Sequence, residues 1–188
     1  MKVSAIATVL ITSLGMVASN VNAASTGTIT FTGAVTANTC DVSIENNGSD
    51  ATITLPTVST DVLTNPGDTA GRTAFTMALS NCTVQTAGKQ DTVSAFFQAG
   101  PSVNLSTGRL NNTSTTSTDA TNVSLQLLDV TGNYQPIKVG NTSQITGTQG
   151  VKIANSKATL PYAVEYYAEG QSTAGAVTST VVYNLQYK

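Results

Sequence analysis

Gly27-Thr28-Ile29-Thr30-Phe31-Thr32-Gly33-Ala34-Val35-Thr36 alternates without a break. Ile29, Phe31, Gly33 and Val35 fall on one face, and Thr28, Thr30, Thr32 and Ala34 on the other. A period of two in β-branched and aromatic residues predicts a strand with one buried face. Gly33 stands in the middle of that apolar face, where a side chain would ordinarily fill a core. Glycine inside a strand weakens it and often marks a bulge or the close approach of another backbone. Two readings follow. The stretch is either the first strand of its own domain, with a weak spot, or a strand that plugs a groove which is shallow at Gly33.

The residues before this stretch read as a leader. Lys2 gives a short positive start, Val3 to Ala18 is a small, largely apolar run without charge, and Val21-Asn22-Ala23 offers small residues at a cleavage position. This pattern predicts a secretory signal peptide over residues 1–23, cut before Ala24. The run is short for a membrane span and is interrupted by Ser13 and Gly15. Removing 23 of the 188 residues leaves 165, enough for one domain with a proper core. Without Lys2, seven basic residues stand against ten acidic ones, a net charge of −3 with no basic face for nucleic acid.

An exported chain with two cysteines implies one disulfide, between Cys40 and Cys82. Their separation of 42 residues makes such a bridge worth about 4 kcal/mol on the loop-entropy account. A zinc site is excluded in practice, because histidine is absent and two thiolates do not close a tetrahedral shell.

After the opening stretch, short alternating runs recur between turn signals. They cover Thr39–Glu45, Thr52–Leu55 stopped by Pro56, Thr73–Leu79, Val93–Phe97, Val123–Val130, Leu160–Tyr167 and Thr180–Tyr187. Leu160–Tyr167 is the most aromatic and reads as a central strand. Residues 111–121 and 140–150 are polar and read as loops. No stretch carries the 3.6-residue period of a long amphipathic helix. Short strands at this spacing predict an all-β sandwich.

Catalytic signatures are missing. Without histidine no Ser-His-Asp or Cys-His arrangement exists, and no phosphate-loop or dinucleotide fingerprint occurs. The ten carboxylates sit mostly in turn clusters, and no tryptophan is present to line a sugar cleft. The expectation is a protein that is not an enzyme and holds no cofactor or metal.

The ordered set of motifs resembles the pilin subunits of chaperone–usher fimbriae, in particular the major subunits of type 1 fimbriae. It comprises Gly27 to Val35 followed by Cys40; Ser80-Asn81-Cys82; Leu125-Gln126-Leu127-Leu128-Asp129; Pro161-Tyr162-Ala163-Val164-Glu165-Tyr166; and the ending Tyr183-Asn184-Leu185-Gln186-Tyr187-Lys188. The penultimate Tyr187 and Gly175, fourteenth from the C-terminus, fit the same pattern. Tyr162 departs from the family's usual phenylalanine, a change expected to matter little. The resemblance implies an incomplete immunoglobulin-like sandwich (residues 38–188) behind an N-terminal donor extension (residues 24–37). A neighbouring subunit's donor strand completes it. Gly27, Ile29, Phe31, Gly33 and Val35 would face the neighbour's groove. Val181, Tyr183, Leu185 and Tyr187 would line the edge of this chain's own groove and face a periplasmic chaperone. The implied partners are neighbouring pilin subunits, that chaperone and an outer-membrane usher. The implied role is a structural subunit of a surface fimbria supporting adhesion, and the alternative is a minor adaptor or receptor-binding subunit.

Overall fold

The computed structural model describes residues 28–33, 35–37, 39–84 and 90–188. The leader expected over residues 1–23, and Gly27, expected to face the neighbour's groove, lie outside the described residues. The chain divides into two units, Met1–Val35 and Thr36–Lys188.

The second unit is an all-β sandwich. Its strands are β1 (Thr39–Ile44), β2 (Thr69–Thr83), β3 (Thr92–Phe97), β4 (Val103–Asn104), β5 (Arg109–Asn111), β6 (Val123–Asp129), β7 (Gln135–Pro136), β8 (Val151–Lys152), β9 (Ala158–Ala168) and β10 (Tyr183–Tyr187). The larger sheet runs β1-β2-β9-β6-β5-β4, with β7 also on β6, and the smaller runs β10-β3-β8. Every strand pair is antiparallel. Alternation explains the core between the sheets. Phe75, Met77 and Leu79 of β2, Val93, Ala95 and Phe97 of β3, and Leu160, Tyr162 and Val164 of β9 are all buried in one cluster. Each large apolar side chain so buried stabilises by about 1.5–3 kcal/mol. As its composition predicts, β9 is central, between β2 and β6.

The structure departs from the sequence expectation in three places. β2 begins at Thr69, not Thr73, because a bulge between Ala70 and Thr73 carries it past Gly71. Gly71 has φ +65°, and a Cβ there would meet the Tyr166 ring at 2.8 Å, so glycine is needed. Polar residues 140–150 contain the one-turn helix α1 (Gln144–Gly147). Residues 52–55 form no strand. Their alternation is nevertheless real, since Ile53 and Leu55 are half-buried against the main core while Thr52 and Thr54 are exposed.

Tyr162 links the sheets. Its hydroxyl accepts the Ala95 backbone N–H of β3 at 2.8 Å, and its ring packs edge-on to Phe97 at 5.2 Å. Burial pushes the phenol up to about 12. The tyrosine in place of phenylalanine therefore has a structural role, contrary to the expectation that it matters little. Tyr162→Phe strands the buried Ala95 N–H, and we expect a loss of about 1–3 kcal/mol in urea unfolding of the mature chain.

Candidate functional site

Among the described residues the outer strand β10 has one neighbour, β3, in register Tyr183↔Phe97 through Tyr187↔Val93. Flanking hydrogen bonds fix which backbone groups face which way. Lys188 and Thr92 exchange both hydrogen bonds, and Gln98 donates to Val182. By antiparallel alternation Val182, Asn184, Gln186 and Lys188 turn their N–H and C=O groups to β3, and Tyr183, Leu185 and Tyr187 turn theirs to the free edge. Residues with outward-facing backbone are thus the ones whose side chains face the core.

The structure brings together Val181, Tyr183, Leu185 and Tyr187. All four are half-buried and pack against the main core cluster. Tyr183 reaches across the gap between the sheets, where its hydroxyl donates to the Ser49 carbonyl at 2.9 Å. Burial, then the nearby Asp50 carboxylate, pushes this phenol above its ordinary value. Burial raises Tyr187 as well, opposed by a hydrogen bond from the Cys40 backbone. Two tyrosine rings therefore cross the groove like rungs, with Leu185 between them. The far wall is β1 and the segment after it, where Ile53 and Leu55 wait without a ladder. Cys40 of β1 and Cys82 of β2 form the disulfide that ties this wall to the larger sheet.

The opposite edge of the smaller sheet is closed. β8 covers Thr92 and Val93, and the Tyr162 hydroxyl takes the Ala95 N–H. The Gln144 carboxamide takes both the N–H and the C=O of Phe97, each at 3.0 Å. The Gly140 N–H donates to the same Phe97 carbonyl at 3.0 Å, so a side-chain amide and a loop N–H here take the place of a strand neighbour, which blunts an aggregation-prone edge. Sequence reasoning missed Gln144 and Ser49. Neither residue type signals a strand partner, and both act through loops whose path the sequence does not reveal.

In the first unit Ile29, Phe31 and Val35 are exposed, with Phe31 at 89% and Val35 at 103%. Residues 28–33 and 35–37 are not assigned to a strand. Gly33 has open space where a Cβ would stand, so nothing within the chain requires glycine there. Gly175 has a different reason for being glycine: a Cβ would collide with the backbone of Thr118, Asp119 and Ala120.

Charged side chains on the larger sheet pair with one another, and of these Glu165 is buried. Glu165 accepts from Arg72 at 2.9 Å and from Gln126 at 3.1 Å. Arg109 grips Glu169 with two hydrogen bonds and lies 3.8 Å over the Tyr167 ring. Among the described residues no group of three or more metal-ligating side chains forms.

Comparisons with known proteins agree with this architecture. The family model "Type-1 fimbrial protein, A" matches residues 55–188. The F17 fimbrial protein of Escherichia coli is 37% identical over 175 residues, covering 93% of this chain and 94% of the relative. The major fimbrial subunit SMF-1 of Stenotrophomonas maltophilia is 41% identical over 166 residues, covering 87% and 94%. In fold the chain is similar to a subunit of a chaperone–usher pilus solved in a study of rod uncoiling (TM-score 0.58, 19% identity, covering 87% and 96%). It is similar also to the P pilus rod subunit PapA (TM-score 0.58, 17% identity, covering 79% and 99%). The sandwich is therefore of the immunoglobulin-like pilin type, and the chain belongs to the type-1 fimbrial protein family, as a structural pilin subunit.

Proposed function

We propose that this chain is a shaft-forming fimbrial subunit that polymerises head to tail by accepting residues 27–36 of the next copy along β10. The observation that carries this reading is the free β10 edge, where backbone hydrogen-bonding groups and half-buried apolar side chains come from the same residues, Tyr183, Leu185 and Tyr187. Strand addition of this kind is established for chaperone–pilin complexes. Each ladder bond contributes about 0.5–1.5 kcal/mol, and each buried donor side chain about 1.5–3 kcal/mol. An open edge is an aggregation hazard, so a periplasmic chaperone fits as its first occupant and an outer-membrane usher as the route to the surface. Export by the leader at residues 1–23 supplies the oxidising compartment that the Cys40–Cys82 bridge needs. A contact between different surfaces of two copies does not close, and so makes a filament. The subunit performs no catalysis in this reading. Kinship to major fimbrial subunits supports a shaft role over a minor adaptor or receptor-binding one.

The test is direct. The mature chain is refolded with an excess of a synthetic peptide of residues 27–37, and thermal unfolding is followed. The expected result is a stable one-to-one complex with a raised Tm and no polymer. A peptide that leaves Tm unchanged would remove β10 as the acceptor.

A further inference from the structure

Residues 49–58, which follow the turn after β1, are held almost entirely by apolar contact. Ile53 and Leu55 pack against the main core, and Val58 against the smaller cluster around Leu63. Among the described residues, no backbone N–H or C=O of 49–58 pairs with another backbone group. One side chain bonds to this backbone: the Tyr183 hydroxyl, which donates to the Ser49 carbonyl at 2.9 Å. We propose that Tyr183 is a positioning residue, whose hydroxyl holds the wall formed by 49–58 at a fixed distance from β10 while the groove is empty. This rests on the reading of β10 as the acceptor edge and adds the group that keeps the opposite wall in place before a partner arrives.

Tyr187 supplies the contrast on the same strand. It too reaches across the gap, to the Cys40 backbone. Cys40, however, is already fixed by its disulfide to Cys82 and by the β1–β2 ladder. Losing the Tyr187 hydroxyl takes one bond from a strand that has many, whereas losing the Tyr183 hydroxyl takes the one that 49–58 has. The other end of the Tyr183 side chain is firm, because its backbone is paired opposite Phe97 and its ring packs against the main core. Tyrosine has few torsions, so a ring anchored at both ends fixes a distance at low entropic cost. Packing of Ile53 and Leu55 is non-directional and sets how deep the wall sits. A hydrogen bond is directional and sets where it sits sideways. The bond lies on the exposed side and adds little to overall stability. Its effect is on the groove. A wall free to shift leaves fewer subunits with a groove of the right width, and apparent affinity falls by that fraction.

The test measures the wall directly. Once the native disulfide has formed, the mature chain carrying Thr52→Cys and Asn184→Cys, both at exposed positions, is labelled with nitroxides at those two sites. The expected distance distribution between the labels is narrow in the chain with Tyr183 intact, broad with Tyr183→Phe, and still narrow with Tyr187→Phe. Phenylalanine keeps the ring and its packing and removes the hydroxyl alone. Should Tyr183→Phe fail to refold, Tyr183→Leu carries the same comparison. A second arm follows binding of a synthetic peptide of residues 27–37 to the unlabelled chain. Tyr183→Phe should slow association about three- to tenfold, the factor that one hydrogen bond supports, and leave dissociation unchanged. A hydroxyl that merely touched the bound peptide would speed dissociation instead. The proposal is overturned by a broad distribution with Tyr183 intact, by a Tyr183→Phe distribution as narrow as that of the parent chain, by equal broadening with Tyr187→Phe, or by an association rate that Tyr183→Phe leaves unaltered. Failure of the peptide to bind the wild-type chain is a separate outcome, which removes the acceptor edge and leaves the label distances to judge the tether.

Discussion

Tyr187→Ala combined with Leu185→Ala is expected to abolish the chaperone complex and leave no fibres, whereas Gly33→Leu is expected to leave the chaperone complex intact and still yield few or short fibres. The two losses should differ in kind because the proposed reading gives the two segments different jobs. Leu185 and Tyr187 pack against the chain's own core and stand on the edge that an incoming strand must join. Truncating Leu185 costs about 2–5 kcal/mol when fully buried, less for a half-buried residue, and the tyrosine adds a comparable loss. An edge so weakened holds neither chaperone nor donor, and the subunit is degraded in the periplasm. A Cβ added at Gly33 would meet nothing within 4 Å. On the proposed reading, leucine there should leave the fold and the chaperone-binding edge untouched and clash only in the neighbour's groove, where overpacking costs about 1–3 kcal/mol or more. Chaperone co-purification beside fibre counts by electron microscopy checks both. If Gly33→Leu also loses the chaperone complex, residues 29–35 belong to their own domain and the donor assignment falls.

The sequence made the sandwich legible wherever one face of a strand is buried by the chain itself. Phe75, Met77 and Leu79 alternate because each meets the core, and so do Val93, Ala95 and Phe97. Alternation also marked Ile53 and Leu55, yet the structure assigns them no strand, because periodicity reports side-chain burial and carries no information about ladder partners. The same gap applies to the opening stretch. Ile29, Phe31 and Val35 have the pattern of a strand and are exposed, so the burial their pattern anticipates is not found in this chain. Gly33 was the one residue in that stretch at odds with a self-contained strand. What stayed illegible was made by loops. Gln144 seals the β3 edge from a one-turn helix inside a polar run, and Ser49 receives Tyr183 from a turn. Each depends on a chain path set by distant packing. Tyr162 was visible as a departure from the family's phenylalanine, but its value lies in one backbone N–H on another sheet.

Cys40→Ser is expected to lower strongly the yield of subunit in the periplasm, and the reason lies in where the bridge sits. Cys40 is on β1, an outer strand of the larger sheet whose one neighbour among the described residues is β2. The ladder between them is irregular at this point, with a register shift between Thr39 and Asp41. Around the bridge, Asn81 donates to Asp41 at 2.7 Å, and the hydroxyls of Thr39 and Thr83 lie 3.0 Å apart, both on the exposed surface where such bonds add little. The disulfide is therefore the main restraint on this end of β1. Closing a loop of 42 residues is worth about 4 kcal/mol on the loop-entropy account, a large share of the about 5–15 kcal/mol by which a domain is ordinarily stable. An incomplete sandwich starts with less, since its groove is unfilled. β1 is also the wall across from β10, and Tyr187 hydrogen-bonds to the Cys40 backbone across the gap. Releasing β1 thus loosens the groove before a donor arrives. Adding the residue 27–37 peptide during refolding should recover part of the lost stability of Cys40→Ser, because donor binding favours the folded state by mass action. Periplasmic yield, Tm with and without peptide, and non-reducing mass spectrometry of wild-type fibres are the measurements. Free thiols in assembled fibres, or a Cys40→Ser subunit as abundant and as stable as wild type, would show that the bridge is dispensable and that β1 is held by packing alone.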